Sequence, residues 1–233
     1  HVPTVGSAYR ALKAMDVPGI DMLSADPDQL TSDRSAPIGR LVASVKDVYD
    51  KEGAMTEASE FQQRRRNEET PFDWVIASLN WHLAQGVDSI TSYFDWEAYS
   101  EEECRFANAY VSRLSGVLRQ GSRASRVAVL YPESTLWAEV VPTARTHWRG
   151  QSETAQRVEE TWRKLCWALI RAQVEFDCID EDALAAAQIK EGRLTFNGRT
   201  CDTLLLPMVT TLPTGGVEVI EEWTQSGGDV RAV

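Results

Sequence analysis

The chain has 233 residues, of which 43% are hydrophobic and 25% charged, ordinary values for one large or two modest globular domains and unlike those of a disordered chain. No apolar run approaches the roughly 20 residues needed to span a bilayer, so we expect no membrane-spanning segment. Lys and Arg number 24 against 35 Asp and Glu, a formal net charge of −11; such a chain repels a phosphate backbone, which disfavours nucleic acid as a partner.

The first region, residues 1–122, alternates between strand and helix patterns. Each pattern has its own apolar spacing, and the third strand is followed by a last helix. The predicted strands cover 19–24, 53–58 and 87–94, and the predicted helices 35–49, 71–85 and 101–118. Alternating strands and helices predict a parallel sheet. Three strand–helix units are too few to close a barrel, but they would suit the last three units of an eight-stranded barrel.

A small, polar segment at 119–125 separates this region from residues 123–233. Alternation continues there, with a hairpin near the Asn197-Gly198 turn and an almost wholly apolar strand at 203–207, typical of a sheet centre. We expect an open, flavodoxin-like, doubly wound domain. Because residue 1 is His and 227–233 read as a turn into a strand that is only beginning, we expect the chain to be a piece of a longer protein, incomplete in both domains.

Acidic side chains lie near the predicted carboxyl ends of the first three strands, where parallel α/β folds gather active residues. They are Asp21, Glu57 and Asp95. Glu57 interrupts small and apolar residues, so it is either a catalytic carboxylate or a buried structural acid that needs a partner. The sequence predicts a carboxylate-bearing site at this edge.

Two aromatic residues accompany these acids. Tyr93 and Trp96 flank the end of the third strand, where their rings could stack on an apolar sugar face or pack at the rim of the core. His82 falls inside a predicted helix and is interpreted as a surface or packing residue rather than a ligand. The run 64–66 of three Arg is interpreted as a solvated loop, with anion binding as the alternative.

The second region offers little chemistry. No Gly-rich dinucleotide motif follows its first strand, and no Ser or Cys stands in a nucleophile elbow. Met208 occupies the position after the strand that ends at Pro207. The four cysteines show neither CxxC pairing nor metal-ligand spacing, so we expect free thiols that do not distinguish cytoplasm from periplasm or secretion. The second domain is therefore predicted to be non-catalytic.

Several segments together resemble large bacterial glycoside hydrolases. They are RVAVLYPESTLWAE, VEFDCIDEDAL, CDTLLLPMVTTLP, the late GGDV, and WHLAQGVDSITSY near the end of the first region. The nearest likeness is to the α-L-rhamnosidase family 106, with the β-galactosidase family 42 second. The resemblance implies an eight-stranded (β/α)8 barrel followed by a flavodoxin-like, amidotransferase-like domain without its nucleophile, and a homo-oligomer.

The resemblance also implies hydrolysis of an O-glycosidic bond by two carboxylates. Glu57 would be the second carboxylate, with Asp21, Tyr93, Asp95 and Trp96 binding the carbohydrate, while the acid would lie on an earlier strand outside this chain. The resemblance implies no organic cofactor. Calcium is implied by the resemblance only, since the sequence shows no clear cluster of calcium ligands. Residues 58–61, Ala-Ser-Glu-Phe, depart from the family's glycine-rich surroundings, so a non-catalytic carbohydrate-binding or assembly protein with a degenerate barrel is the alternative. An amidotransferase-like enzyme is a third hypothesis, which the missing nucleophile opposes.

Overall fold

The computed structural model describes residues 6–141 and 151–233. The chain divides into two compact units. One comprises Met15–Arg123, and the other combines Ala124–Val233 with the first residues, through Ala14. Helix α1, Ala8–Lys13, belongs to the second unit, although the sequence analysis assigned these residues to the first region.

The unit of residues 15–123 contains a three-stranded parallel sheet in the order β1-β2-β3. The strands are β1 Gly19–Met22, β2 Met55–Ser59 and β3 Ser89–Tyr93. The helices are α2 Pro27–Leu30, α3 Ala36–Val48, α4 Phe61–Arg65, α5 Phe72–Ala84 and α6 Glu101–Leu118, with a short 3-10 helix at Trp96–Ala98. Within the described residues these strands form no closed barrel.

One face of this sheet carries the apolar core. The side chain of Ala58 on β2 is fully buried, and it clusters with Val75 and Leu79 of α5 and Ala107 of α6. Ile90 of β3 packs against the same cluster. Since side chains alternate across a strand, the residues between these positions point to the opposite face.

The other unit contains a four-stranded parallel sheet in the order β10-β9-β4-β5 and a three-stranded antiparallel sheet in the order β6-β7-β8. The strands are β4 Val127–Leu130, β5 Phe176–Ile179, β6 Gln188–Lys190, β7 Arg193–Phe196, β8 Arg199–Cys201, β9 Thr203–Leu206 and β10 Asp229–Ala232. The helices are α7 Glu133–Glu139, α8 Glu153–Arg171, α9 Glu181–Ala185 and α10 Thr214–Gln225. The chain is therefore mixed α/β with parallel sheets, as predicted; the barrel and flavodoxin-like assignments stay predictions.

Two local predictions in this unit agree with the structure. The predicted hairpin is β7-β8, joined by Asn197 and Gly198, both with positive φ (45° and 78°), as a two-residue primed turn requires. The apolar strand β9 lies inside its sheet, and it ends one residue before Pro207, which cannot donate to a ladder.

The structure also describes the four cysteines and the hydropathy of the helices. The four cysteines are free thiols, of which Cys166, Cys178 and Cys201 are buried and Cys104 is partly buried. Burial, followed by the nearby carboxylates of Asp177 and Asp202, raises the pKa of the Cys201 thiol to about 12. Among the helices described, none is long and apolar enough to cross a membrane.

Candidate functional site: the open sheet face and its carboxyl rim

Three polar residues form a row across the open face of the β1-β2-β3 sheet. Asp21 pairs in register with Glu57, and Glu57 pairs with Thr91. Neighbouring strands lie about 4.8 Å apart and in-register side chains share a face. The sheet therefore places two carboxylates side by side, on the face opposite to the buried Ala58.

This row is open to solvent in the structure. Asp21 and Thr91 are exposed, and Glu57 is partly exposed. One step further toward the carboxyl end, Leu23 is 40% exposed and Tyr93 is 50% exposed. Glu57 is thus not buried by the residues that the structure describes. Both acids lie within their strands, one side-chain layer inside the carboxyl rim at which the sequence analysis placed them.

The loop after β3 brings the other predicted residues to that rim. Asp95 is exposed and precedes the 3-10 helix. Trp96 is partly buried, its indole Nε1 donates to the Ser92 hydroxyl at 2.9 Å, and its ring meets those of Phe94 and Tyr99 edge-on, at centroid distances of 5.8 and 5.9 Å. Trp96 thus packs at the rim of the core, as one of its two interpretations required, and keeps part of its surface accessible.

A residue that the sequence analysis did not single out, Glu60, lies between these elements. It follows β2 directly, yet it is only 4% exposed. Its Oε1 accepts the backbone N–H of Asp95 at 2.9 Å, and its Oε2 accepts from the Tyr99 hydroxyl at 3.4 Å. Arg64, which the sequence analysis left in a solvated run, donates from Nη2 to the Tyr93 carbonyl at 3.0 Å. The predicted strand ended at residue 58, so the sequence analysis carried no signal for Glu60, whose burial depends on the end of β2 at Ser59.

The same segment also contacts the rim of β1. Gln63 is fully buried, donates from Nε2 to the Ser24 hydroxyl at 3.0 Å, and accepts the N–H of Ala25 at 3.3 Å. Beside it, the Ser59 hydroxyl donates to the Met22 carbonyl at 3.1 Å. Residues 59–64 therefore hydrogen-bond to the carboxyl ends of both neighbouring strands.

The electrostatics of the rim favour a neutral Tyr99. Burial first, and then the Glu60 carboxylate, raise the pKa of the Tyr99 phenol, so the hydroxyl remains a donor at physiological pH. It also donates to the Thr70 carbonyl at 2.9 Å. His82, by contrast, is 1% exposed, and burial lowers its pKa to about 4; it is a packing residue of α5, one of the two roles that the sequence analysis left open.

A groove of about 530 Å³ lies along the outer edge of β3 against α6. Asp88 at its floor is fully buried and pairs with Lys46 Nζ at 2.7 Å, while its other oxygen accepts the Ala54 N–H at 3.1 Å. This carboxylate is satisfied at the amino end of the sheet, so it serves the fold rather than the open face.

The rim of the other parallel sheet holds buried acids that are already paired. Glu133 is 1% exposed and lies 2.7 Å from Arg10 Nε, and Glu181 accepts the Ser134 N–H at 2.8 Å. Burial raises the pKa of Glu181. Met208 has φ 48° after β9, a backbone turn without a nucleophilic side chain. Across residues 6–141 and 151–233, no group of three or more His, Cys, Asp or Glu side chains could hold a metal ion.

Comparison with known proteins finds a distant structural likeness. The chain is similar to the structure of a rhamnosidase from Novosphingobium sp. PP1Y, with a TM-score of 0.62 and 14% sequence identity. The superposition covers 97% of this chain and 22% of the rhamnosidase chain, so this chain spans about a fifth of that protein's length. Identity this low shows the fold alone. No family model matches the chain, and neither does any curated protein sequence.

Proposed function

We propose that this chain forms part of a glycoside hydrolase that cleaves O-glycosidic bonds, α-L-rhamnosidase-like in the first place and β-galactosidase-like in the second. The observation that carries the proposal is the in-register pair Asp21 and Glu57 on an accessible sheet face. The distant fold likeness to a rhamnosidase supports it. In this proposal β1-β2-β3 are the late strands of a (β/α)8 barrel, the open face lines its interior, and the second unit is a flavodoxin-like, non-catalytic domain.

Glu57 is the second carboxylate of the proposed reaction. Glycosidic cleavage passes through an oxocarbenium-like transition state, which a nearby carboxylate stabilises. Glu57 either attacks the anomeric carbon as a nucleophile or removes a proton from the attacking water, and the separation of the two catalytic carboxyls, about 5 Å or about 6.5–9.5 Å, decides which. The acid that protonates the leaving oxygen comes from a strand outside this chain.

The other residues bind the sugar in this proposal. Asp21 accepts hydrogen bonds from sugar hydroxyls beside Glu57, and Asp95 does so at the rim. The half-exposed ring of Tyr93 and the accessible part of Trp96 offer apolar faces to the ring carbons. Calcium, which the family resemblance implies, finds no cluster of three ligating side chains in the described ranges, so no step depends on it.

The test is Glu57→Gln in the natural protein at its full length, assayed on aryl rhamnosides and galactosides. Loss of the nucleophile or base should lower kcat/KM by at least about 100-fold. Glu69→Gln is the matched control, because Glu69 is an exposed acid in the loop after α4, and it should retain full activity. Survival of activity within a few-fold in Glu57→Gln would show that the assignment is wrong.

The alternative is a non-catalytic carbohydrate-binding or assembly protein, in which a homo-oligomer is one form of assembly. The packing of Trp96 against Phe94 and Tyr99 favours this alternative, since a rigid aromatic surface can bind a sugar without a catalytic group. A binding protein should change its Trp fluorescence on addition of sugar with no turnover. Turnover that depends on Glu57 would exclude this alternative.

A further inference from the structure

Glu60 is a charged side chain in a nearly closed environment. Only 4% of it is exposed, and a buried carboxylate is costly unless hydrogen bonds or a cation compensate for its lost hydration. Here the main compensation is the Asp95 N–H, which donates to Oε1 at 2.9 Å. The Tyr99 hydroxyl lies 3.4 Å from Oε2, but it shares its one proton with the nearer Thr70 carbonyl at 2.9 Å. Arg64 Nε lies 3.9 Å from Oε1 as a partly exposed cation.

We propose that Glu60 is a positioning residue, whose carboxylate holds the backbone at Asp95 in place and so orients Asp95 and Trp96 at the carboxyl rim. The inference rests on the proposed function for its link to sugar, but the positioning itself follows from the hydrogen bonds. Glu60 is too buried to touch a substrate, which distinguishes it from Glu57.

The start of the loop after β3 is held at two points by the same short segment. Glu60 binds the loop at Asp95, and Arg64, one helical turn later, donates to the Tyr93 carbonyl at 3.0 Å. Phe94, between these two points, is 5% exposed and belongs to the core. The backbone from 93 to 95 is therefore bonded on both sides of a buried anchor, and among the bonds described for residues 93–99 Glu60 makes the only charge-assisted one to a backbone N–H.

Hydrogen exchange followed by mass spectrometry tests the positioning without any activity. In the natural full-length protein, Glu60→Ala should speed exchange of the peptide covering 93–99 by about tenfold or more, because a charge-assisted bond to the Asp95 N–H is lost. Glu60→Gln keeps an oxygen acceptor at this position and should speed exchange by less. Residues 19–22 serve as the internal control for unfolding, since Gln63 still holds the rim of β1 in both variants.

The exchange rates of the two peptides distinguish loss of loop positioning from general unfolding. Faster exchange at 93–99 with unchanged exchange at 19–22 supports the proposal, and unchanged exchange at 93–99 in Glu60→Ala overturns it. If Glu60→Ala loosens 19–22 as well, the milder Glu60→Gln decides by the same comparison. Glu69→Ala, an exposed acid that no described contact ties to the loop, should leave both peptides unchanged.

Kinetics then connects the positioning to the proposed reaction. If aryl glycosides are turned over, Glu60→Ala should raise KM by about tenfold with kcat within about threefold of the parent, because sugar-binding groups are misplaced while Glu57 is intact. Equal KM values in a variant whose loop exchanges faster would overturn the link to sugar. If no glycoside is turned over by the parent protein, the proposed function fails, and hydrogen exchange alone still decides whether Glu60 positions the loop.

Discussion

His82 offers a prediction in which the sign and size of a pH effect follow from burial alone. The imidazole is 1% exposed, and neither ring nitrogen has a hydrogen-bond partner among the residues described. Burial disfavours its charged form and lowers its pKa from 6.5 to about 4. As pH falls from 6.5 toward 4, the unfolded chain binds a proton at this site that the native protein does not, so native stability is lost across that window and is retained above it.

The magnitude follows from the two pKa values. At pH 5 the unfolded imidazole is almost fully protonated and the buried one mostly neutral, which costs the native state about 2 kcal/mol relative to pH 8. His82→Leu removes the titration. Because leucine has a similar volume and no described hydrogen bond is lost, the variant should match the parent within about 1 kcal/mol at pH 8.

The assay is urea unfolding at pH 8 and pH 5, followed by Trp fluorescence and circular dichroism. Two compact units need not unfold together, so the relevant transition is the one that His82→Leu shifts. Carboxylates also titrate near pH 5, but they do so equally in both proteins and cancel in the difference. The stability of His82→Leu minus that of the parent should rise by about 2 kcal/mol between pH 8 and pH 5. A difference constant within about 0.5 kcal/mol would refute the argument from burial.

Two further substitutions test packing and pairing in the second unit by the same urea measurement. Arg199→Leu should destabilise by about 3 kcal/mol, because it leaves the carboxylate of Asp177, 3% exposed and 2.8 Å from Arg199 Nε, buried without that cation; a loss below about 1 kcal/mol would contradict a buried ion pair. Gly228→Ala should cost about 1–3 kcal/mol, since a Cβ there would lie 2.4 Å from the ring of the fully buried Trp223. Gly121→Ala, in the unit of residues 15–123, is the control for the glycine-to-alanine change itself and should be nearly neutral, because nothing lies within 4 Å of a Cβ at that position.

Local chemistry made several elements of the fold predictable from the sequence. Helix α6 spans Glu101–Leu118, as predicted. It begins at Glu101 because Ser100 and Glu103 form a capping box in which each side chain bonds the other's backbone N–H. The hairpin β7-β8 was predictable because Asn197 and Gly198 tolerate the positive φ of a tight turn. In each case the determining interactions span only a few residues.

Long-range contacts explain what the sequence analysis missed. Helix α1 was not predicted, and its place in the second unit depends on bonds such as that from the Tyr9 hydroxyl to the Cys178 carbonyl at 2.9 Å, across 169 residues of chain. Lys13 likewise pairs with Asp180 at 3.0 Å. No periodicity within residues 8–13 encodes these partners, so only the folded arrangement reveals them.

The two acids of the β2 segment show why the candidate site was only partly predictable. Glu57 and Glu60 are three residues apart, so in an extended strand they fall on opposite faces. The small and apolar neighbours of Glu57 drew attention to it in the sequence, but they do not show which acid is accessible. Accessibility depends on which face the helices cover and on the residue at which β2 ends. Since Ala58 is the position packed under α5 and α6, Glu57 must point to the open face. Glu60 is left to turn inward, where the Asp95 N–H and the Tyr99 hydroxyl meet it. In the two proposals above, the accessible Glu57 acts on the substrate and the enclosed Glu60 holds the loop, and their different burial is the observation that separates them.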